Sequence, residues 1–428
     1  MPSIGMSMAR RCGSTAVAIF IGLGLAGCTR TPERVLTFSG SLVGREGDVI
    51  RRQLERFQRE NPSITVALRA TPDAADQRHQ LYVQWLNGRA TDPDILQLDV
   101  VWTPEFAAAG WIQSLDRFHP LSDDFFESAV AANRWNGTLY ALPWFIDVGM
   151  LYWRTDLLPH APRDLDELSI LARRAAEQAH LPFGFVWQGA RYEGLVTVFL
   201  EHLGAFNGRI LDDDGRVVVD SEAAVNALTS MRDMIYVDGT TPEAVLTWQE
   251  EQVRFAFQNG QAAMMRNWPY AYSLLQDSSR SKVADRFAVA SLPAGPGGKP
   301  TAALGGSELA INAFSEQPEA AYLLIDYLLQ PTQMIERARI AGQFPPRATL
   351  YDSTALADAL EIPPAAARQI IERAVPRPVT PVYSELSQIL QVSLHRALTR
   401  QQDPRQALQD AAGSMRRLLA KANLAPPP

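Results

Sequence analysis

The sequence predicts an α/β protein built as two lobes, and three observations predict it. The chain has 428 residues, 46% hydrophobic and 20% charged, enough to bury a sizeable core and long enough to divide into two compact units. From Arg34 onward, apolar stretches that suit buried strands alternate with amphipathic helical stretches, the pattern of a largely parallel sheet covered on both faces. Past Arg154 the pattern starts again, which implies the second lobe.

Taken in order, "RVLTFSG" reads as the first strand. Asp48 to Asn61 then sets Ile50, Leu54 and Phe57 on one helical face, and Pro62 ends that helix before the strand "ITVALR". A helix around Gln77 to Leu86, the strand "DILQLDVVW" and a short helix in "PEFAAAGW" continue the alternation. The second lobe carries helices near Leu165 to Ala179 and Glu193 to Leu203, and a hairpin that turns at "DDDG", residues 212–215. "SLPAGPGGKPTAALGGS", residues 291–307, reads as a loop or a crossing between lobes. "ELAIN", helices through about Ala341 and a helical tail after Pro381 complete the chain, with no fixed-period repeat.

The amino terminus reads as a targeting signal. Arg10 and Arg11 form a positive region, "TAVAIFIGLGLAG" forms the apolar stretch, and small residues close it. That stretch is too short for a comfortable transmembrane helix. "LAGC", ending in Cys28, resembles the bacterial lipobox, which implies a signal peptide over 1–28, acylation of Cys28 and a membrane link through the lipid alone. Losing Arg10 and Arg11 takes the formal charge from −7 to −9. Cys12, the other of the two cysteines, leaves with the leader, so no disulfide is expected. The acidic balance, with no basic stripe, argues against a nucleic-acid partner.

Catalytic signatures are missing from the sequence: no Walker loop, dinucleotide fingerprint, G-x-S-x-G elbow or H-E-x-x-H occurs. The six histidines are scattered singly, so neither a metal site nor a cofactor is expected. Glu250 and Glu251 are neighbours, about 100° apart on a helix, a poor match to the opposed carboxylates of a glycosidase; they read as a solvated helix face. What remains are rings, carboxylates and arginines at strand ends: Asp99 and Trp102, then Trp144, Phe145 and Asp147, then Trp268 and Tyr270 in "RNWPYAY", and Arg377 in "VPRPV". In open α/β sheets ligands sit beyond the carboxyl ends of strands. These residue types suit a sugar, whose apolar C–H face packs on a ring while its hydroxyls meet acids and donors.

In one order along the chain, "TDPDILQLDVVW", "GTLYALPWFIDVGMLYWRTDLL", "FGFVWQGARYEGLV", "FQNGQAAMMRNWPYAY", "AALGGSELAIN" and "VPRPVTPVYSELSQIL" resemble family 1 of the extracellular solute-binding proteins, which feed ABC sugar importers. Within it the trehalose/maltose-binding proteins are most similar. The resemblance implies a type II, maltose-binding-protein-like periplasmic-binding fold with a ligand cleft between lobes 34–143 plus 306–344 and 144–305 plus 345–424. It implies no catalysis, a role as an exported, lipid-anchored monomer that hands a disaccharide-sized α-glucoside to permease subunits, and sugar contacts from Glu46, Arg78, Asp99, Phe145, Asp147, Trp268, Tyr270, Gly305, Gly306, Ser307 and Arg377. Glu46 falls in the first strand-to-helix loop on this reading. Two departures from the family pattern bear on the ligand. Ser307 stands where relatives carry tryptophan, and Phe145 where tyrosine is common, so a roomier, wetter subsite is expected at position 307. A polyol or osmolyte glycoside is the first alternative ligand, and an exported glycoside hydrolase the second alternative reading.

Overall fold

The computed structural model of the chain describes residues 34–42, 44–118 and 124–425. The expected signal peptide, residues 1–28 with Cys28, lies outside the described residues. Twelve strands are described: β1 Arg34–Gly40, β2 Ile64–Ala70, β3 Ile95–Asp99, β4 Arg134–Trp135, β5 Thr138–Leu139, β6 Ala141–Val148, β7 Met150–Arg154, β8 Phe183–Val186, β9 Ala262–Asn267, β10 Phe287–Ala290, β11 Ala302–Ile311 and β12 Ala374–Val375. They form two main sheets and a small β4–β5 hairpin.

The first sheet runs β12-β11-β3-β1-β2, with β6 on the free side of β11. β1 pairs in parallel with β2 and β3, as the β-α-β reading predicts, but β11 lies antiparallel to β3 and to β6. The second sheet, β10-β7-β9-β8, is also mixed. The expectation of largely parallel sheets therefore fails at the strands that join the halves. β6 belongs to the first sheet and β7, one residue later, to the second. The chain reverses nothing at Gly149 and simply passes from one sheet to the other.

Local elements follow their residues closely. The helix Glu46–Glu60 buries Val49, Ile50, Gln53, Leu54 and Phe57, a face at helical spacing. It starts earlier than the apolar periodicity indicates, so Glu46 is its first residue and not part of the loop before it. The helix Leu165–Ala179 has the predicted bounds because Asp164 caps it by accepting from the Glu167 N–H, and His180, in the left-handed conformation, closes it. "DDDG" turns as expected, but only Leu211 and Val217 bridge across it, short of a hairpin. The strand expected at "ELAIN" begins at Ala302, so the last third of the Gly-rich stretch, 302–307, is sheet. Gly306 allows this. Its φ of +131° and the closeness of the Phe145 carbonyl leave no room for a Cβ.

Candidate functional site

A cavity of about 350 Å³ opens at the carboxyl ends of β1 and β3, between the helices Ala75–Asn87, Glu193–Ala205 and Glu250–Gln258. All eleven contact residues expected from the sequence line it: Glu46, Arg78, Asp99, Phe145, Asp147, Trp268, Tyr270, Gly305, Gly306, Ser307 and Arg377. Residues as far apart as Glu46 and Arg377, 331 positions, line it together, and the register of three strands sets part of it. Ser307 pairs with Asp99 and with Phe145, and Gly305 with Asp147.

Several of these groups are already engaged with one another. Arg377 donates to Asp99 Oδ1 at 2.6 Å and to Glu193 Oε1 at 2.8 Å, while Glu193 also accepts from the Tyr383 hydroxyl at 2.6 Å. Burial alone would loosen the hold of Arg377 on its proton, but Asp99, Tyr383 and Glu193 outweigh it and keep the guanidinium charged. Arg377 is thus an ion-paired wall of the cavity, with its Nε still unpartnered. Glu46 is enclosed by Gln97, Gln343 and Arg337; burial raises its pKa, opposed by Arg337 and Arg78. Arg78 donates to the carbonyls of Pro72 and Asp73, and its Nε too has no partner.

Asp147 differs from the other acids. Its Oδ1 is buried without a partner, and its pKa is pushed up to about 7 by burial, with Glu46 and Asp99 adding to the rise and Arg337 and Arg266 opposing it. Together with the unpartnered Tyr192 hydroxyl, these groups offer both donors and acceptors to whatever enters. Buried polar atoms without partners are rare in native folds, and a ligand's hydroxyls would satisfy them.

The rings divide into those that face the cavity and those that do not. Trp268 and Tyr270 line it with Phe145 and Tyr192. Tyr272 packs on Phe287, ring centroids 4.9 Å apart, and lies outside it. Trp144 is buried against Phe38 and under the Arg337 guanidinium, and Trp102 sits among His79, Tyr82 and Phe106; neither lines this cavity. Of the three rings of "RNWPYAY", two therefore form the platform. Gly305 serves it indirectly: a Cβ there would lie 3.3 Å from Trp268 Cζ3, so the missing side chain makes room for the indole.

Two sequence expectations are corrected. Glu250 and Glu251 are not a solvated face, because both line the cavity; Glu251 accepts from the Tyr270 hydroxyl at 2.8 Å and Glu250 from Trp268 Nε1 at 3.5 Å. The start of their helix is turned inward, which its own periodicity does not reveal. Ser307 lines the cavity but is not an open, wet position: it is 5% exposed, and its hydroxyl accepts from Gln97 Nε2 at 2.9 Å. Residues the sequence reading missed are Gln97, Tyr192, Glu193, Gln343 and the glutamate pair. Glu193 and Tyr192 lie in the quoted "FGFVWQGARYEGLV", where an acid next to a ring at a helix start was the available signal.

The cavity offers rings, donors and acceptors, and no histidine lines it. A serine, a histidine and a glutamate do meet elsewhere, but Ser384 and Glu105 both address the same His79 nitrogen, so no proton relay exists. Among the described residues no group of three or more His, Cys, Asp or Glu could hold a metal ion, and no helix is long and apolar enough to cross a membrane.

Fold and cavity define a receptor for a small polar solute, two α/β halves with the ligand space between their strand ends. The chain belongs to the bacterial extracellular solute-binding protein family, whose pattern matches residues 44–335. A probable ABC transporter-binding protein of Deinococcus radiodurans is 35% identical over 421 residues, 94% of this chain and 98% of that one. Among solved structures, maltose-bound MalE3 of T. maritima superposes with a TM-score of 0.86 at 42% identity, covering 90% of this chain and all of that one. The GacH receptor of Streptomyces glaucescens, solved with acarbose, gives 0.81 at 25% identity over 91% and 99%. The protein is accordingly a substrate-binding component of the ABC-importer class with a maltose-binding-protein-like fold, exported as its family is, and not an enzyme.

Proposed function

We propose that the protein captures a sugar, an α-linked glucoside of disaccharide size such as maltose or trehalose, and delivers it to the transmembrane subunits of an ABC importer. The observation that carries this is the composition of the cavity: the Trp268 and Tyr270 rings beside partnerless donors and acceptors on Arg78, Arg377, Tyr192 and Asp147, in about 350 Å³. A pyranose offers both an apolar face and a rim of hydroxyls, and a pocket of this size suits a small ligand. The 42% identity to a protein solved with maltose supports the same class. The lobes are 34–143 with 306–344 and 144–305 with 345–424, and the mature chain is a monomer held at the membrane by acylated Cys28. Titration calorimetry of maltose, trehalose and mannitol tests the reading. Saturable, low-micromolar or tighter binding of a disaccharide is expected; binding of mannitol alone would move the ligand to the polyols, and silence from every carbohydrate would overturn it.

A further inference from the structure

The cavity wall holds Trp268 only at its edge, where Nε1 donates to Glu250 Oε1 at 3.5 Å. Behind it, the Arg266 guanidinium lies over the indole at 3.8 Å from the ring centroid, while Arg266 itself is 1% exposed and does not line the cavity. A planar guanidinium on one ring face restricts the indole more than an alkyl contact would, because the cation is drawn to the centre of the π-system. Arg266 is in turn fixed. Its Nε donates to Glu201 Oε2 at 2.8 Å, one terminal nitrogen donates to Glu201 Oε1, and the other reaches Gln188 Oε1 at 3.4 Å.

Glu201 is where this local arrangement meets the architecture. Its Oε1 also accepts from the Ala303 N–H of β11, a strand of the first sheet, whereas Arg266 belongs to β9 of the second. Gly149, the residue between β6 and β7, passes so close that a Cβ there would run into Glu201 Oε1 and the Arg266 guanidinium. The pair is therefore built at the point where the chain crosses between sheets, and space for it exists only because residue 149 has no side chain.

We propose that Arg266, clamped by Glu201, is the positioning residue of the aromatic subsite: it sets the plane of Trp268 from behind and ties that plane to the strands that cross between the two sheets. Nothing in the ligand reading requires this, since an indole could be held by apolar packing alone. The inference rests on that reading for its ligand, and a double-mutant cycle separates the two. The wild type is first titrated with maltose and trehalose; no binding of either defeats the disaccharide reading, and the cycle is then run with mannitol. Arg266→Lys keeps the buried charge balanced but loses the planar stack. Acting through Trp268, it should weaken disaccharide binding about tenfold in the wild-type background and less than about twofold in Trp268→Ala, since contacting residues that work as a unit are non-additive. A tenfold loss in both backgrounds, or none in the wild type, would overturn the proposal. Should Arg266→Lys fail to fold, the neutral pair Glu201→Gln with Arg266→Gln replaces it, with the same two expectations. Tryptophan emission gives an independent reading. The ligand-induced change should shrink in the lysine variant and remain in Arg69→Lys, which alters a guanidinium stacked on Trp85 and paired with Asp92, none of which lines the cavity.

Discussion

At the scale of single residues, the site contrasts groups that wait for a ligand with groups that hold one another. Trp268 belongs to the first kind. It is a partly exposed ring in the cavity with its rear face occupied, and truncating such an anchor costs about 2 kcal/mol or more of binding. Trp268→Ala should therefore lower disaccharide affinity by about thirtyfold in calorimetry. Tyr270→Phe should cost less, because its hydroxyl is committed to Glu251 and not to the cavity. Asp147 also waits, and its titration makes a prediction about pH. Its folded pKa of about 7 stands above the usual carboxyl value of 3.8, so the folded state holds the proton more tightly than the unfolded chain does. The stability linked to that proton is fully present below about 3.8 and is lost as pH rises through about 7. Asp147→Asn cannot ionise, so the variant should gain on the wild type between pH 5 and pH 8, by about 2 °C or more in unfolding temperature. Parallel melting curves for the two proteins would deny Asp147 that role.

At the scale of elements, β11 does most to make the site. One strand carries Gly305, Gly306 and Ser307, pairs with β3 to reach Asp99, and pairs with β6 to reach Phe145 and Asp147. The register shift between Ser307 and Glu308 on the β6 side is possible because Gly306 adopts a conformation side chains avoid. Gly306→Ala should destabilise the fold by about 1–3 kcal/mol from backbone strain, and by more if the Phe145 carbonyl cannot yield. Urea denaturation measures it; an unchanged midpoint would mean the strand tolerates the residue. The same element explains why position 307 is closed. As a single letter in place of a tryptophan it suggests empty space, whereas on β11 it faces Gln97, whose side chain also accepts from the Ser41 N–H and donates to Glu46. The amide network fills the room a ring would take.

At the scale of the whole molecule, the chain passes from the first sheet to the second at Gly149, between β6 and β7, with the cavity between the halves. A ligand gripped from both sides favours closure in proportion to its differential affinity for the closed form. Small-angle scattering with the sugar found by calorimetry should show a smaller radius of gyration than without it, and an unchanged value at saturation would count against a hinged cleft. Attachment can be read separately: Cys28→Ser should release the protein from the membrane fraction, since stable anchoring relies on acyl chains. Much of this was legible in the chain alone. Alternating strands and helices declared the α/β class because buried strands and amphipathic helices have different periods, and the resemblance of the ordered segments to a known family pointed to eleven cavity-lining residues. Only the tertiary structure decided which side chains those residues would meet. Arg377 looks the same in sequence whether it greets a sugar or clamps Asp99 and Glu193, Glu250 and Glu251 look like any exposed pair, and Arg266 gives no sign that it lies under Trp268. Periodicity records how a segment divides between inside and outside, while partnership across a cavity depends on the register and approach of segments hundreds of residues apart, which no local pattern encodes.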